Sequence, residues 1–211
     1  MSTGRVVQVN VSKGGIPKKP VPEARFTFSR VEGDDWNNTK AHGLPGQAVC
    51  LYSAELIEEL KAEGYPLFPG ALGENLTTEG IDVNGALVGE RWGIGTTVLE
   101  VSEPRVPCWR LGVRMNDKLF PRRFMEALRP GAYLRIVVEG DVGTGDEVRL
   151  IERPDHGLAI RDLLRIYAFD RQEAGRLLAA PRISEDWRWW AEHYLQEAKG
   201  GAEKTSTPGC Q

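Results

Sequence analysis

The first 150 or so residues carry short, β-branched runs punctuated by Gly or Pro, and that rhythm restricts this part of the chain to a β-rich fold. The runs are 6–11, 25–29, 48–52, 96–101, 132–138 and 147–151. Two glycine-containing segments, 88–95 and 142–148, resemble each other and read as turns feeding barrel strands. The second lacks the Gly-Lys-Ser/Thr ending of a phosphate loop, so it reads as a hairpin turn. One helix interrupts the strands: Ser53 caps it, Leu56, Ile57 and Leu60 form its apolar face, and Gly64 ends it.

The pattern changes after Pro154. Ile160, Leu163, Leu164 and Tyr167 make one helical stripe. Asp170 is placed to cap a second helix and Ser184 a third, whose apolar face holds Trp187, Trp190, Ala191, Tyr194 and Leu195. Three short helices bury little core alone, so they are expected to fold back on the barrel or to dimerise. The trio Trp187, Trp189 and Trp190 reads as packing. The expected organisation is a β-barrel domain over 1–155, a three-helix subdomain over 156–198 and a disordered tail over 199–211, mainly β with α in class.

Charge and hydropathy exclude several partners. A net charge of -3 and a pI near 5.7 argue against general nucleic-acid binding. No apolar run reaches the roughly 18 residues of a membrane span, and the first residues lack an apolar signal core. A cytoplasmic location is expected. The three cysteines, Cys50, Cys108 and Cys210, form neither a disulfide framework nor a Cys-x-x-Cys pair. Cys50 lies in an apolar strand-like run and reads as a small core residue. Cys210 lies in a polar tail.

Cys108 is different. It sits in Glu103-Pro104-Arg105-Val106-Pro107-Cys108-Trp109-Arg110, where the two prolines favour extended, stiff backbone. Arg105 and Arg110 supply positive charge, which favours a thiolate, the form that a soft metal or a sulfur-transfer site requires. Three further clusters accompany it: the basic turn 15–20, the polar loop 37–43 with His42, and the run Pro69-Gly70-Ala71-Leu72-Gly73-Glu74-Asn75-Leu76-Thr77-Thr78-Glu79-Gly80. In the last, Gly73 permits close backbone approach, while Asn75, Thr77 and Thr78 offer amide and hydroxyl groups. As a purely local feature it reads as a loop closed by Asx and Ser/Thr turns. Lys18, Lys19, Lys40, Arg105, Arg110 and Arg114 are the candidate anion-binding cations.

Together these motifs resemble the MOSC domain family, named for the C-terminal domain of molybdenum cofactor sulfurase. The residues that carry the likeness are Gly15-Ile16-Pro17-Lys18, His42-Gly43, Gln47-Ala48-Val49-Cys50-Leu51-Tyr52, Phe68-Pro69-Gly70, Gly73-Glu74-Asn75-Leu76-Thr77, Gly89-Glu90-Arg91 and Pro104-Arg105-Val106-Pro107-Cys108. They cover about residues 5–153. The helical end, with Trp187-Arg188-Trp189-Trp190, is similar to the three-helix extension of the bacterial YiiM-like branch.

The resemblance implies a barrel like the small domain of pyruvate kinase and a molybdopterin-type molybdenum cofactor, with Cys108 as the molybdenum ligand. It also implies reduction of N-hydroxylated compounds such as 6-hydroxylaminopurine. Chemistry then suggests roles. Asn75, Thr77, Thr78 and Gly73 meet the pterin, Arg105, Lys19 and Lys40 meet its phosphate, and His42 supplies a proton. The chain shows neither a cysteine cluster for an iron–sulfur centre nor a dinucleotide fingerprint, so an external flavoprotein or iron–sulfur protein is the expected electron donor. The competing expectations are a carrier in which Cys108 holds a persulfide without redox turnover, and a binding module with a structural Cys108. A homodimer is a further expectation from the apolar helical end.

Overall fold

The computed structural model describes residues 3–35 and 45–205, with the side chains of Pro45 and of residues 199–205 left aside. The first half runs β1 (Thr3–Val11), β2 (Lys19–Val21), β3 (Glu23–Thr27), β4 (Arg30–Val31), β5 (Val49–Ser53), α1 (Ala54–Ala62), β6 (Leu76–Glu79), β7 (Arg91–Ile94) and β8 (Thr97–Pro104). The second half runs α2 (Trp109–Arg114), α3 (Phe120–Glu126), β9 (Ala132–Val138), β10 (Gly140–Gly143), β11 (Glu147–Glu152), α4 (Ile160–Ala168), a 3-10 stretch Arg171–Ala179, and α5 (Glu185–Thr205).

Seven strands close into a barrel in the order β11-β7-β8-β9-β5-β6-β1. β1 pairs back onto β11, with Thr3 opposite Arg149 and Arg5 opposite Glu147. Closure removes the exposed edges that an open sheet would leave. The sheet is mixed because β5 and β6 run parallel, and α1 supplies the crossover between them. β2 extends the sheet beyond β1, while β3, β4 and β10 form a separate small sheet.

The alternating runs fold as expected. In β9, Ala132, Leu134 and Ile136 are buried while Tyr133, Arg135 and Val137 are only partly so. α1 also matches its sequence signature. Ser53 accepts the Leu56 amide at 3.2 Å, Leu56, Ile57 and Leu60 are buried, and Gly64 takes φ +94° just beyond the end.

Several segments differ from expectation. The run after Pro69 is not all loop: Leu76–Glu79 is the buried strand β6. The segment 88–95 does more than feed a strand, since Arg91–Ile94 pairs with both β8 and β11. The turn after Gly143 is not a hairpin turn, because β10 pairs with β3 and β11 with β7 and β1. The second C-terminal helix is 3-10, and Asp170 does not cap it; the Asp170 carboxylate is held by Arg165 instead.

The C-terminal segments fold back on the barrel. Ile160, Leu163, Ile166, Leu177, Ile183 and Trp187 share one continuous core with Val6, Leu99, Leu134 and Val148. Trp187 and Trp190 pack around Tyr167, with ring centroids 5.4 and 5.1 Å away, whereas Trp189 faces solvent and stacks on His193. Outside the barrel, Tyr52, Leu72, Leu111, Phe120 and Phe124 form a second cluster beneath α1, α2 and α3. No described helix is long and apolar enough to cross a membrane.

Candidate functional site

One cleft opens where β1 and β8 end and β6 and β9 begin. Its lining includes Ile16 and Lys18, Gln47 and Cys50, Gly73 and Asn75, Arg105, Cys108 and Arg110, and Tyr133. Segments far apart in sequence therefore meet at one end of the barrel.

The wall is built by two docked loops. Gly70 accepts the Lys18 amide at 2.9 Å, and a Cβ on Gly70 would fall 2.4 Å from the Lys18 carbonyl oxygen. Gly73 adopts φ +89°, and a Cβ there would fall 2.6 Å from Ile16 Cγ2. Both glycines are thus required by backbone conformation and by close loop packing.

Buried polar groups lock this wall. The Glu74 carboxylate accepts the amides of Gly70 at 2.5 Å and Leu72 at 3.1 Å, and the Thr77 hydroxyl at 3.1 Å. Burial raises its pKa, and these donors oppose the rise. The Asn75 side chain spans three elements. Its oxygen accepts the Cys50 amide at 3.1 Å, and its nitrogen donates to Asp34 Oδ2 at 2.9 Å and to the Asn10 carbonyl at 3.3 Å. Lys18 forms an ion pair with the same Asp34.

Cys108 stands at the N-cap position of α2 with extended backbone, φ -110° and ψ 168°, and is partly exposed. Its thiol makes no capping bond, so it is left free for chemistry in the cleft. Cys50 also lines the cleft, but burial pushes its thiol pKa up to about 12, against the opposing charges of Arg105 and Lys18. The two thiols therefore differ in kind: Cys50 is a protonated wall group and Cys108 is the accessible one.

Arg105 is the main electrostatic feature. It is 8% exposed, and no carboxylate forms an ion pair with it among the described residues. Its Nη2 reaches the Leu72 carbonyl at 3.5 Å, while Nη1 is buried with no hydrogen-bond partner among the described residues. Burial works against this charge, but the ionisable Tyr52, Tyr133, Cys50 and Cys108 around it hold its pKa above the usual value. A buried cation with an unmet donor is costly unless an anion meets it. Gln47 Oε1 is a second buried orphan at the cleft, although Gln47 Nε2 donates to Glu103 at 2.6 Å.

The structure brings Cys108, Arg105, Gly73 and Asn75 together at the cleft, and Thr77, Thr78 and Lys19 are not in its described lining. Thr77 and Thr78 lie in β6, fully buried; Thr77 is engaged by Glu74 and Asn10. Neither threonine lines the cleft wall, so hydroxyl contact with a pterin does not follow from their positions. Lys19 is exposed on β2, and its neighbour Lys18 lines the cleft instead. Lys40 and His42 lie outside the described residues. Sequence reasoning missed Tyr133, which sits in a regular strand, and passed over Cys50; neither carries a local signal.

The donor set fits a cofactor-borne metal. Among the described residues no group of three His, Cys, Asp or Glu side chains could hold a metal ion unaided. A single accessible thiol beside an unpaired buried guanidinium suits a metal whose other ligands belong to an anionic cofactor.

Fold and cleft together define a closed mixed barrel that presents one partly exposed thiol, Cys108, among cations at its end. Residues 38–149 match the model of the MOSC domain, and the chain belongs to that family. It is 32% identical over 181 residues to the uncharacterized protein YflK of Bacillus subtilis, spanning 82% of this chain and 81% of that one. The crystal structure of YiiM from Geobacillus stearothermophilus superposes with a TM-score of 0.79 at 25% identity, covering 91% of this chain and 99% of that one. A protein of Gibberella moniliformis named "Reductase" is 32% identical over 141 residues, which is 64% of this chain and 25% of that longer protein.

Proposed function

We propose that this protein is a molybdenum-cofactor-binding oxidoreductase that reduces N-hydroxylated compounds such as 6-hydroxylaminopurine. The observation that carries this reading is the accessible Cys108 thiol beside Arg105, a buried guanidinium with no carboxylate partner among the described residues. Membership of the MOSC family and a relative named a reductase support it.

When bound, the cofactor supplies a redox centre able to pass two electrons to an N–OH group. Cys108 holds the metal through its thiolate. Arg105 and Lys18 bind the anionic part of the pterin, and Arg110 extends the positive field to the cleft mouth. Gly73 and Asn75 shape the wall. Tyr133, whose pKa burial raises, stays protonated in the cleft wall. His42 is the proposed proton source for the leaving hydroxyl. Overall, the substrate N–OH gains two electrons and two protons, the N–O bond breaks, and water and N–H result. The electrons come from an external flavoprotein or iron–sulfur protein in the cytoplasm.

The test is metal and pterin analysis of protein made in a cofactor-competent host. Stoichiometric molybdenum, lost in Cys108→Ser along with hydroxylamine reduction, is expected. A mass increment of one sulfur on Cys108 without molybdenum would establish a persulfide carrier instead. Unchanged metal content and turnover in Cys108→Ser would refute both.

A further inference from the structure

The cleft mouth is bordered by an outward face that the fold leaves uncovered. α2 is anchored by Leu111, fully buried, and by Gly112, where a Cβ would lie 3.0 Å from the Asp117 carbonyl oxygen. Yet the same helix turns Trp109 and Val113, 70% and 69% exposed, to solvent. They are four residues apart and so lie on one side of the helix. Leu119, just before α3, is 53% exposed. Solvent-facing apolar groups in one place mark a contact surface.

The charge around them is one-sided. Residues 105–123 hold six basic side chains and one acidic one, in a chain of net charge -3. The acid, Asp117, is taken by Arg123, and Arg122 pairs with Glu126. Arg110, Arg114 and Lys118 have no ion-pair partner among the described residues. Arg110 lies over the Trp109 ring at 5.8 Å and Arg114 over Phe68 at 5.3 Å. An apolar centre with Trp and Arg inside a cationic rim is the composition of a protein-docking face that selects an acidic partner.

We propose that α2 and the α2–α3 turn form the docking face for an acidic electron-carrier protein, centred on Trp109, Val113 and Leu119 and rimmed by Arg114 and Lys118. This rests on the reductase reading, since only that reading requires an external donor. The placement serves the chemistry: Trp109 follows Cys108 directly in the chain and Arg110 lines the cleft. A carrier seated there delivers electrons at the cleft mouth without covering the whole opening.

The probe is a flavodoxin, a small acidic flavin protein, titrated into the full-length protein by calorimetry at low ionic strength. Val113→Glu and Lys118→Glu are surface variants outside the cleft lining. Each is expected to raise Kd at least fivefold, and the wild-type affinity is expected to fall at least tenfold as salt rises from about 50 to 300 mM. Absence of wild-type binding, or a Kd unchanged from wild type in both variants, overturns the proposal. So does selective loss in the variants of binding to anionic phosphatidylglycerol vesicles or single-stranded DNA while flavodoxin binding persists. Turnover separates the two readings. With loaded enzyme, viologen-driven hydroxylamine reduction is expected to be unchanged in the variants while flavodoxin-driven reduction falls. No viologen-driven reduction in loaded wild type refutes the reductase reading itself, whatever the calorimetry shows.

Discussion

Cys50 on β5 and Tyr133 on β9 stand directly opposite each other in the antiparallel ladder, and both line the Cys108 cleft. Burial is the largest influence on each, raising both pKa values despite the nearby Arg105. The cleft therefore combines two buried, protonated wall groups with one accessible thiol, Cys108.

That contrast gives a direct chemical prediction. In a Cys210→Ser background at about pH 8, iodoacetamide is expected to modify Cys108 and to spare Cys50, because only the thiolate is nucleophilic and Cys50 titrates near 12. Peptide mass spectrometry over time checks it. Comparable labelling of both thiols would contradict the burial of Cys50.

Arg105 separates stability from function. Its buried charge has no carboxylate partner among the described residues, so Arg105→Met is expected to leave the melting temperature of cofactor-free protein unchanged or higher. The same variant is expected to retain at least tenfold less pterin after desalting. Arg105→Lys is expected to fall between, since an ammonium lacks the planar fork. A drop in melting temperature with normal pterin retention would assign Arg105 a structural role instead.

Glu103 makes stability depend on pH. Burial raises its carboxyl pKa, against hydrogen bonds that include one from Gln47. The folded state thus binds this proton more tightly than the unfolded chain. Its contribution is fully present below the unfolded carboxylate pKa and is lost as pH rises through the raised folded value. Glu103→Gln is expected to remove that loss, so the variant gains on wild type in urea midpoint as pH rises above the ordinary carboxylate range. An identical pH slope in both proteins would rule this out.

Gly73→Ala tests the loop junction. Positive φ and the approach to Ile16 both oppose a side chain, and the expected cost is about 1–3 kcal/mol in denaturant unfolding. Cofactor retention is expected to drop with it, because the wall is displaced. Wild-type stability in this variant would mean that the loop relaxes freely.

Legibility in the sequence followed the range of the interactions. α1 was readable because Ser53, its three apolar residues and Gly64 act within one short segment. β9 was readable because alternation is local. β6 was not. Its Thr77 and Thr78 look like polar loop residues, and only Glu74 and the distant Asn10 make a buried Thr77 tolerable. Asp170 misled for a related reason: it satisfies the cap rule in sequence, but Arg165 holds its carboxylate.

The same division holds for the site. The sequence alone determined the family, the β-barrel with its helical end, and Cys108 as the distinctive thiol, because motif residues and periodicities are written along the chain. Only the tertiary structure decided that Lys18 rather than Lys19 lines the cleft, that Cys50 and Tyr133 form its wall, and that Arg105 is buried without a carboxylate partner among the described residues. Those facts depend on which strands close the barrel and which loops meet at its end. Burial and unmet hydrogen bonds arise only from that closure.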